Sequence, residues 1–140
     1  MRTELHKFMV GSRLGVGEHR KVYVFEHDPE TYVIKRQRHA GQFHNVAEWE
    51  AWSFYRGTPL AEWFAPCHSI SPSGEYLLMR RTWPMPPQYL PERVPAIFTD
   101  LKASNWGLLR EPDGSTRPVC HDYGIMIMPQ NNRLKRVEWE

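Results

Sequence analysis

Closely spaced prolines are the feature of this chain that most limits its fold. Residues 84–95 contain five of them, Pro84, Pro86, Pro87, Pro91 and Pro95. Proline has no backbone N–H to donate, and its ring clashes with the preceding turn of a helix. The chain of 140 residues is long enough for one domain with its own core. Its second half cannot hold two long helices, however, and we expect at most one helical turn there, at residues 91–97.

The first half of the chain predicts an antiparallel sheet. Residues 22–26 and 32–36 are rich in β-branched and aromatic side chains, and residues 27–30 between them have the composition of a turn. These two runs therefore predict a hairpin. Residues 75–81 form a further run of this kind, which we expect to be another strand of the sheet.

One helix is expected between these strands. It would begin with Asn45 as its N-cap and end at about Arg56, because asparagine is a favoured residue at the start of a helix. The helix and the strands together predict a small α+β fold.

A second hairpin is expected in the second half. Residues 106–111 and 116–122 flank the sequence Pro-Asp-Gly-Ser at 112–115, which is a strong turn signal. This hairpin would bring Asn105 and Asp122 to the same end. Two oxygen-bearing side chains at one place suit the coordination of Mg²⁺.

Four polar side chains around this hairpin have the spacing of a phosphoryl-transfer site. Asp100 lies two residues before Lys102 and five before Asn105, and Asp122 follows downstream in the sequence Asp-Tyr-Gly. An aspartate can orient and deprotonate an attacking hydroxyl, a lysine can neutralise the γ-phosphate, and asparagine and aspartate oxygens can bind Mg²⁺. The pattern resembles the catalytic loop and metal-binding turn of protein kinases. The structural alternative is a solvated polar loop with an Asx turn.

A segment near the start of the chain resembles the glycine-rich loop that covers the ATP phosphates in protein kinases. Gly15 and Gly17 would let the backbone approach phosphate oxygens closely, and Val22 falls where the family places the apolar residue that covers adenine. Arg20 replaces the third glycine of the family, and the resemblance implies that Arg20 or His19 adds charge at the phosphates. The structural alternative is a plain hairpin.

Residues 32–35, Tyr-Val-Ile-Lys, resemble the kinase strand whose lysine holds the α- and β-phosphates. Lys35 would then need a carboxylate partner on the following helix. Glu48 is our first choice from its position in the family pattern. Alternatively, Glu48 forms a capping box with Asn45 and only satisfies the start of the helix, in which case Glu50 would be the partner.

Together, these segments make the chain resemble a compact, bacterial or phage-type member of the protein-kinase-like superfamily. The resemblance implies a kinase-like fold with a small antiparallel-sheet N-lobe at about residues 11–79, a hinge at 80–82, a remnant C-lobe at 83–128 and a tail at 129–140. It implies ATP and Mg²⁺ as cofactors, and it makes Met79, where the hinge begins, a nucleotide-binding residue. The large helical subdomain that binds peptide substrates in the family, and its Ala-Pro-Glu anchor, have no counterpart in this sequence.

Three functions are compatible with this pattern. The first is an ATP- and Mg²⁺-dependent phosphotransferase resembling a Ser/Thr protein kinase, with an unknown substrate that could be the chain itself. The second is a nucleotide-binding pseudokinase that docks on a partner or host protein. The third is an interaction module in which the motifs are relics, but retention of every charged residue argues against it, since converging charges are costly without a ligand. We favour the first function.

The reduced second lobe also predicts a binding partner. Loss of the kinase helices would leave Trp83, Trp106 and the apolar run at residues 125–128 poorly covered, so we expect a protein partner or a second copy of the chain. The charged residues 131–140 are expected to be mobile.

Composition predicts a cytoplasmic protein without membrane segments. No apolar run approaches the length of a membrane span, and residues 1–15 show no signal-peptide pattern. A formal charge of +2 is too small to indicate nucleic-acid binding. Cys67-His68 and Cys120-His121 are adjacent pairs, which do not suit a four-ligand zinc site, so we expect both cysteines to be small buried side chains.

Overall fold

The computed structural model describes residues 10–16, 20–37, 43–124 and 133–140. Three positions that carry sequence predictions lie outside these ranges, namely Gly17, His19 and the apolar run at 125–128. The fold is α+β, with mostly antiparallel sheet and, in the described part of the chain, one α-helix.

The chain forms two compact units. Unit 1 contains Met1–Glu50 and Pro66–Arg81, and unit 2 contains Ala51–Ala65 and Thr82–Glu140. Segment Ala51–Ala65, which the sequence predicted as part of the N-lobe, therefore belongs to unit 2.

Unit 1 is built on a five-stranded antiparallel sheet with the strand order β1-β2-β3-β5-β4. The three strands predicted from the sequence are confirmed as β2, β3 and β5, and β1 and β4 are added at the two edges. The strands are β1 Val10–Val16, β2 Arg20–Phe25, β3 Tyr32–Gln37, β4 Cys67–Ile70 and β5 Tyr76–Arg80.

Alternation of side chains along the strands gives this sheet two different faces. Ile34 and Tyr76 are buried together on one face. Lys35, the next residue of β3, lies on the opposite face. Val22 shares that face because it pairs with Lys35, and so does Arg20, two residues before Val22 in β2. The sheet thereby carries two cations on the same face.

Helix α1 spans His44–Tyr55 and follows β3 in the chain. Asn45 therefore lies inside the first turn, so its assignment as the N-cap is wrong. Its backbone N–H donates instead to Gln37 Oε1 at 3.0 Å, which ties the start of the helix to the end of β3. Gly74, in the β4–β5 turn, has a φ of +78°, and a Cβ there would lie only 2.8 Å from Val46. Glycine thus lets this turn approach the helix.

Unit 2 contains two small sheets, one with the antiparallel order β6-β8-β9 and one made of β7 and β10. The predicted hairpin is confirmed as β8 and β9, whose register pairs Trp106 with Cys120. The strands are β6 Thr82–Trp83, β7 Arg93–Pro95, β8 Trp106–Arg110, β9 Thr116–Cys120 and β10 Leu134–Arg136, and short 3₁₀ segments lie at Pro59–Trp63, Pro87–Tyr89 and Ala103–Asn105.

One prediction for unit 2 is wrong, and it concerns the tail. Arg93–Pro95 is a strand, where the sequence allowed at most one helical turn at residues 91–97. Residues 133–140, in the tail that we expected to be mobile, provide the strand that pairs with it. Trp139 Nε1 also donates to the carbonyl oxygen of Pro91 at 2.9 Å. These contacts join segments far apart in the sequence, and local composition does not show such pairing.

Aromatic side chains fill the core of unit 2. Phe64 is fully buried, and its ring centroid lies 5.1 Å from that of Phe98 and 4.7 Å from that of Tyr123. Trp106 is only 3% exposed and packs against Trp139 with a centroid separation of 5.4 Å. The expectation that Trp106 is poorly covered is therefore wrong, because the tail covers it.

Three further expectations concern side-chain exposure and membrane segments. Both cysteines are buried as expected, Cys67 in unit 1 and Cys120 in unit 2. Trp83 is partly buried, and the guanidinium of Arg110 lies 3.7 Å from its ring centroid. Within the described ranges, no helix has both the length and the apolar character needed to cross a membrane.

Gly107 allows β6 and β8 to pack closely. A Cβ at this position would lie 2.8 Å from Thr82 Oγ1 and 3.0 Å from the carbonyl oxygen of Trp83. We expect Gly107→Ala to lower the free energy of unfolding by about 1–3 kcal/mol, measured by urea denaturation. Gly15→Ala is the matched control, because a Cβ there would have no described heavy atom within 4 Å. Equal losses in the two variants would contradict the close-packing explanation.

Candidate functional site

Two cations from neighbouring strands meet one fully buried carboxylate in unit 1. Glu48, in α1, has no exposed surface, and Arg20 and Lys35 are 8% and 5% exposed. Glu48 Oε1 accepts hydrogen bonds from Arg20 Nη1 at 2.6 Å and from Lys35 Nζ at 2.9 Å. Glu48 Oε2 accepts from Arg20 Nη2 at 3.2 Å. Arg20 therefore binds the carboxylate in a bidentate manner, and Lys35 shares one of its oxygens.

Asn45 fastens the start of α1 to the sheet. Its side chain is fully buried, and its Nδ2 contacts the carbonyl oxygens of Lys35, Gly74 and Glu75 at 2.9, 3.0 and 2.9 Å. Its Oδ1 accepts from Arg20 Nη1 at 3.2 Å. The amide thus links the helix to β3 and to the start of β5, and this linkage fixes the position of Glu48 one turn later.

The charge of Glu48 follows from its neighbours. Burial raises the pKa of the carboxyl, but the charges of Arg20 and then of Lys35, with their hydrogen bonds, outweigh burial and hold the pKa of Glu48 far below its ordinary value of 4.5. The carboxylate is therefore ionised at neutral pH. The cluster consists of charged groups held at fixed distances.

The ion pair between Lys35 and Glu48 that the sequence suggested is present. Glu50, the alternative partner, is exposed on the same helix. The capping-box alternative is not found, because the Asn45 N–H donates to Gln37 while the Glu48 carboxylate accepts from the two cations.

Arg20 has a contact that the sequence did not suggest. We expected Arg20 or His19 to add charge at nucleotide phosphates; the guanidinium of Arg20 binds Glu48 and Asn45, and His19 lies outside the described residues. The planar guanidinium matches the two oxygens of a carboxylate, which a compact ammonium does not. This contact depends on the register of β2 against β3, which pairs Arg20 with Gln37 at the end of β3. That register cannot be read from the sequence.

The remaining residues predicted to bind nucleotide lie on β1, β2 and β5. Gly15 pairs with Val22, and Val22 pairs with Lys35, so these three lie side by side across adjacent strands. Space beside Gly15 is open, since a Cβ there would meet no described atom within 4 Å. Met79 lies inside β5 and is fully buried, and the strand continues to Arg80. Met79 is therefore part of the sheet rather than of a connecting segment.

The predicted metal-binding residues lie at one end of the β8–β9 hairpin in unit 2. Asn105 directly precedes β8, and Asp122 lies two residues beyond the end of β9. The backbone N–H of His121 donates to the carbonyl oxygen of Asn105 at 2.8 Å, which closes this end of the hairpin. The prediction that the hairpin brings Asn105 and Asp122 to the same end is confirmed. Asn105 is buried and Asp122 is exposed.

Asp100 and Lys102 lie in the loop that leads to Asn105. Asn105 Nδ2 donates to the carbonyl oxygen of Asp100 at 3.1 Å, and the Asn105 backbone N–H donates to the carbonyl oxygen of Lys102 at 2.9 Å. With Nδ2 used in this way, Oδ1 is the atom of the Asn105 amide that suits a cation. The Lys102 side chain is exposed, and Asp100 is partly exposed.

Two side chains at this end of the hairpin carry oxygen atoms of a type that binds magnesium in proteins. Mg²⁺ prefers hard oxygen ligands and usually binds through one or two protein carboxylates, with water and phosphate oxygens completing its shell. Asn105 Oδ1 and the Asp122 carboxylate are ligands of this type. In the described part of the chain, no group of three or more His, Cys, Asp or Glu side chains could hold a metal ion.

His121 joins three segments of unit 2. Its Nε2 lies 2.8 Å from the carbonyl oxygen of Ser104, which can only accept, so Nε2 carries the hydrogen. Its Nδ1 lies 2.7 Å from Thr82 Oγ1 and accepts from that hydroxyl when the ring is neutral. These residues line a cavity of about 450 Å³ together with Trp83 and Trp106. The sequence suggested His121 only as a possible zinc ligand and did not indicate these hydrogen bonds to Ser104 and Thr82.

Comparison with known proteins adds no family assignment. No protein-family model matches this chain, and no curated protein matches it. A functional proposal therefore depends on the sequence motifs and on the geometry given above.

Removal of the buried carboxylate should destabilise the chain strongly. We expect Glu48→Gln to lower the free energy of unfolding by about 3–5 kcal/mol, since it breaks a buried ion pair from one side. Urea denaturation at neutral pH measures this loss. Glu75→Gln is the matched control, because Glu75 binds Arg36 at 2.9 Å with both side chains about one-third or more exposed, and we expect about 0–1 kcal/mol. Equal losses would contradict the importance of the buried cluster.

Acid should also weaken the folded chain through Glu48. Because the folded pKa of Glu48 is lowered, its contribution to stability is complete above its ordinary pKa of 4.5 and is lost as the pH falls through the folded pKa. Below pH 4.5, the free energy of unfolding should fall more steeply in the wild type than in Glu48→Gln. Glu50→Gln, an exposed change on the same helix, should keep the wild-type slope. Parallel curves for wild type and Glu48→Gln would show that Glu48 does not titrate in this way.

Proposed function

We propose that this chain is an ATP- and Mg²⁺-dependent phosphotransferase with a compact protein-kinase-like fold. The observation that carries the proposal is the buried ion pair between Lys35 on β3 and Glu48 on α1, at 2.9 Å. In protein kinases, a lysine on the third strand and a glutamate on the following helix form such a pair, and both must be in place for catalysis. The antiparallel order β1-β2-β3-β5-β4 in unit 1, with α1 after β3, supports the same fold.

Lys35 is the residue proposed to bind the α- and β-phosphates. Glu48 holds its ammonium at a fixed place on the sheet, so little ordering remains to be done when a nucleotide arrives. Val22 lies beside Lys35 on β2, and Gly15 lies beside Val22 on β1. The open space next to Gly15 would admit a nucleotide close to the backbone.

Residues of unit 2 are proposed to carry the transfer step. The oxygen of an acceptor hydroxyl forms a bond to the γ-phosphorus while the bond from that phosphorus to the β–γ bridging oxygen breaks, and ADP leaves. The carboxylate of Asp100 orients the hydroxyl and takes its proton. Lys102 offsets charge on the γ-phosphate, and Asn105 and Asp122 would hold Mg²⁺. The metal, when bound, neutralises charge that develops on the phosphates.

The acceptor would be a serine or threonine hydroxyl of a partner protein or of a second copy of the chain. We place the reaction in the cytoplasm, which supplies ATP. A nucleotide-binding pseudokinase remains the outcome if the chain binds ATP without transferring phosphate.

Binding of ATP should depend on a divalent metal. ATP with Mg²⁺ should raise the Tm more than ATP with a chelator, because Mg²⁺ would link the phosphates to Asn105 and Asp122. A ligand at a hundred times its Kd adds about 2.7 kcal/mol to stability, which a thermal shift assay detects. Asp122 is exposed, and Asp122→Ala should make the Tm shift with ATP and Mg²⁺ equal to the shift with ATP and chelator. Equal shifts with metal and with chelator would eliminate the metal assignment.

Loss of Asp100 should separate transfer from binding. Asp100 acts on the acceptor hydroxyl mainly in the transition state, so Asp100→Ala should lower transfer from γ-labelled ATP by about 10²- to 10⁴-fold with ATP binding nearly unchanged. Asp122→Ala should damage both. Asp113→Ala changes a fully exposed aspartate in the β8–β9 turn, and it should leave both intact.

The assay uses the purified chain alone and with cell extract. Transfer by the wild type that Asp100→Ala retains would contradict the role of Asp100. If the wild type binds ATP but labels neither itself nor any protein in the extract, the pseudokinase function replaces the enzyme.

A further inference from the structure

Arg20 contacts two successive turns of the helix that carries Glu48. Its Nη1 lies 2.6 Å from Glu48 Oε1 and 3.2 Å from Asn45 Oδ1, and its Nη2 lies 3.2 Å from Glu48 Oε2. Asn45 and Glu48 are three residues apart, so their side chains lie on the same face of α1. One guanidinium on β2 therefore binds the helix at two points.

Lys35 binds the same carboxylate less completely. Its Nζ contacts Glu48 Oε1 at 2.9 Å, the oxygen that Arg20 Nη1 also contacts. A guanidinium is a rigid fork that matches both oxygens of a carboxylate, whereas an ammonium is a point charge on a flexible stem. If the Lys35 ammonium also contacts another anion and its bond to Glu48 weakens, Arg20 still binds both oxygens of Glu48.

We propose that Arg20 is a positioning residue that holds Glu48, and with it the first half of α1, on the sheet independently of Lys35. One consequence rests on the proposed function: the Lys35 ammonium can contact a nucleotide phosphate with its remaining hydrogens while Arg20 keeps Glu48 and the helix in place. Arg20 then keeps the helix in its catalytic position before any nucleotide binds. Arg20, which lies where the kinase resemblance places the third glycine, would then be part of the support for Glu48.

Hydrogen exchange of the helix amides tests this division of roles. The full chain without nucleotide is compared at neutral pH as wild type, Arg20→Met and Lys35→Met, and exchange is followed at residues 44–50. Lys35→Met should keep the wild-type protection within about threefold, and Arg20→Met should lose about tenfold or more. Arg36→Met is the matched control, because Arg36 lies on β3 and binds Glu75 instead; it should leave the helix amides unchanged. Equal losses in Arg20→Met and Lys35→Met, or no loss in Arg20→Met, would overturn the proposal.

The pH dependence of stability separates positioning from a general packing role. Below pH 4.5, the slope of the free energy of unfolding counts the proton that Glu48 takes up on unfolding. The charges of Arg20 on β2 and of Lys35 on β3 act on Glu48, and Glu48→Gln gives the baseline without this proton. Lys35→Met should retain most of the Glu48 part of the slope, and Arg20→Met should lose most of it. If Arg20→Met only loses packing, its free energy of unfolding should be lower at every pH with an unchanged slope. That result would contradict a positioning role for Arg20.

A conservative variant keeps the test decisive if Arg20→Met does not fold. Arg20→Lys retains the charge but reaches only one carboxylate oxygen. Its helix amides should therefore be less protected than those of the wild type, and its pH slope should lie between the slopes of the wild type and Glu48→Gln. Arg20→Lys that matches the wild type, or that loses no more than Lys35→Met, would overturn the proposal. Neither measurement uses nucleotide. If the chain fails to bind ATP, the phosphotransferase proposal fails and the role of Arg20 stands. If the chain binds ATP but the Arg20 variants do not behave as expected, the role of Arg20 fails and the phosphotransferase proposal stands.

Discussion

A carboxylate without exposed surface is the constraint on which unit 1 depends. Taking Glu48 out of water costs several kcal/mol unless cations and hydrogen bonds replace its hydration. Arg20 and Lys35 supply these from two adjacent strands, and Asn45 ties the same helix to the backbone of the sheet. The sheet, the helix and the charges must therefore form together. Rigid support of this kind is what the phosphate-binding role proposed for Lys35 would need.

The sequence predicts those parts of unit 1 that depend on local pattern. Runs of β-branched and aromatic residues gave β2, β3 and β5, and the position of Glu48 in a kinase-like pattern selected it as the partner of Lys35. The sequence did not reveal the contact of Arg20 with Glu48, because that contact depends on the register of β2 against β3. Asn45 was taken for a helix cap because asparagine is common there, whereas its amide binds three carbonyl groups of the sheet.

Unit 2 shows the same division between local and distant contacts. The turn sequence at 112–115 was sufficient to predict the β8–β9 hairpin, and with it the shared end of Asn105 and Asp122. The pairing of Arg93–Pro95 with Leu134–Arg136 was missed, because it joins segments that are far apart in the chain. The burial of Trp106 was missed for the same reason, since Trp139 from the tail packs against it. Where partners are distant, residue types alone do not specify which segments meet.

Glu48 is proposed to act on nucleotide through Lys35. The most direct measurement is the Kd of ATP with Mg²⁺, by calorimetry, for the wild type, Lys35→Met, Glu48→Gln and the double variant, each first shown to be folded. We predict that both single variants bind more weakly and that the double variant binds little more weakly than Lys35→Met alone, because the two residues form one unit. Fully additive losses of binding free energy in the double variant would contradict the claim.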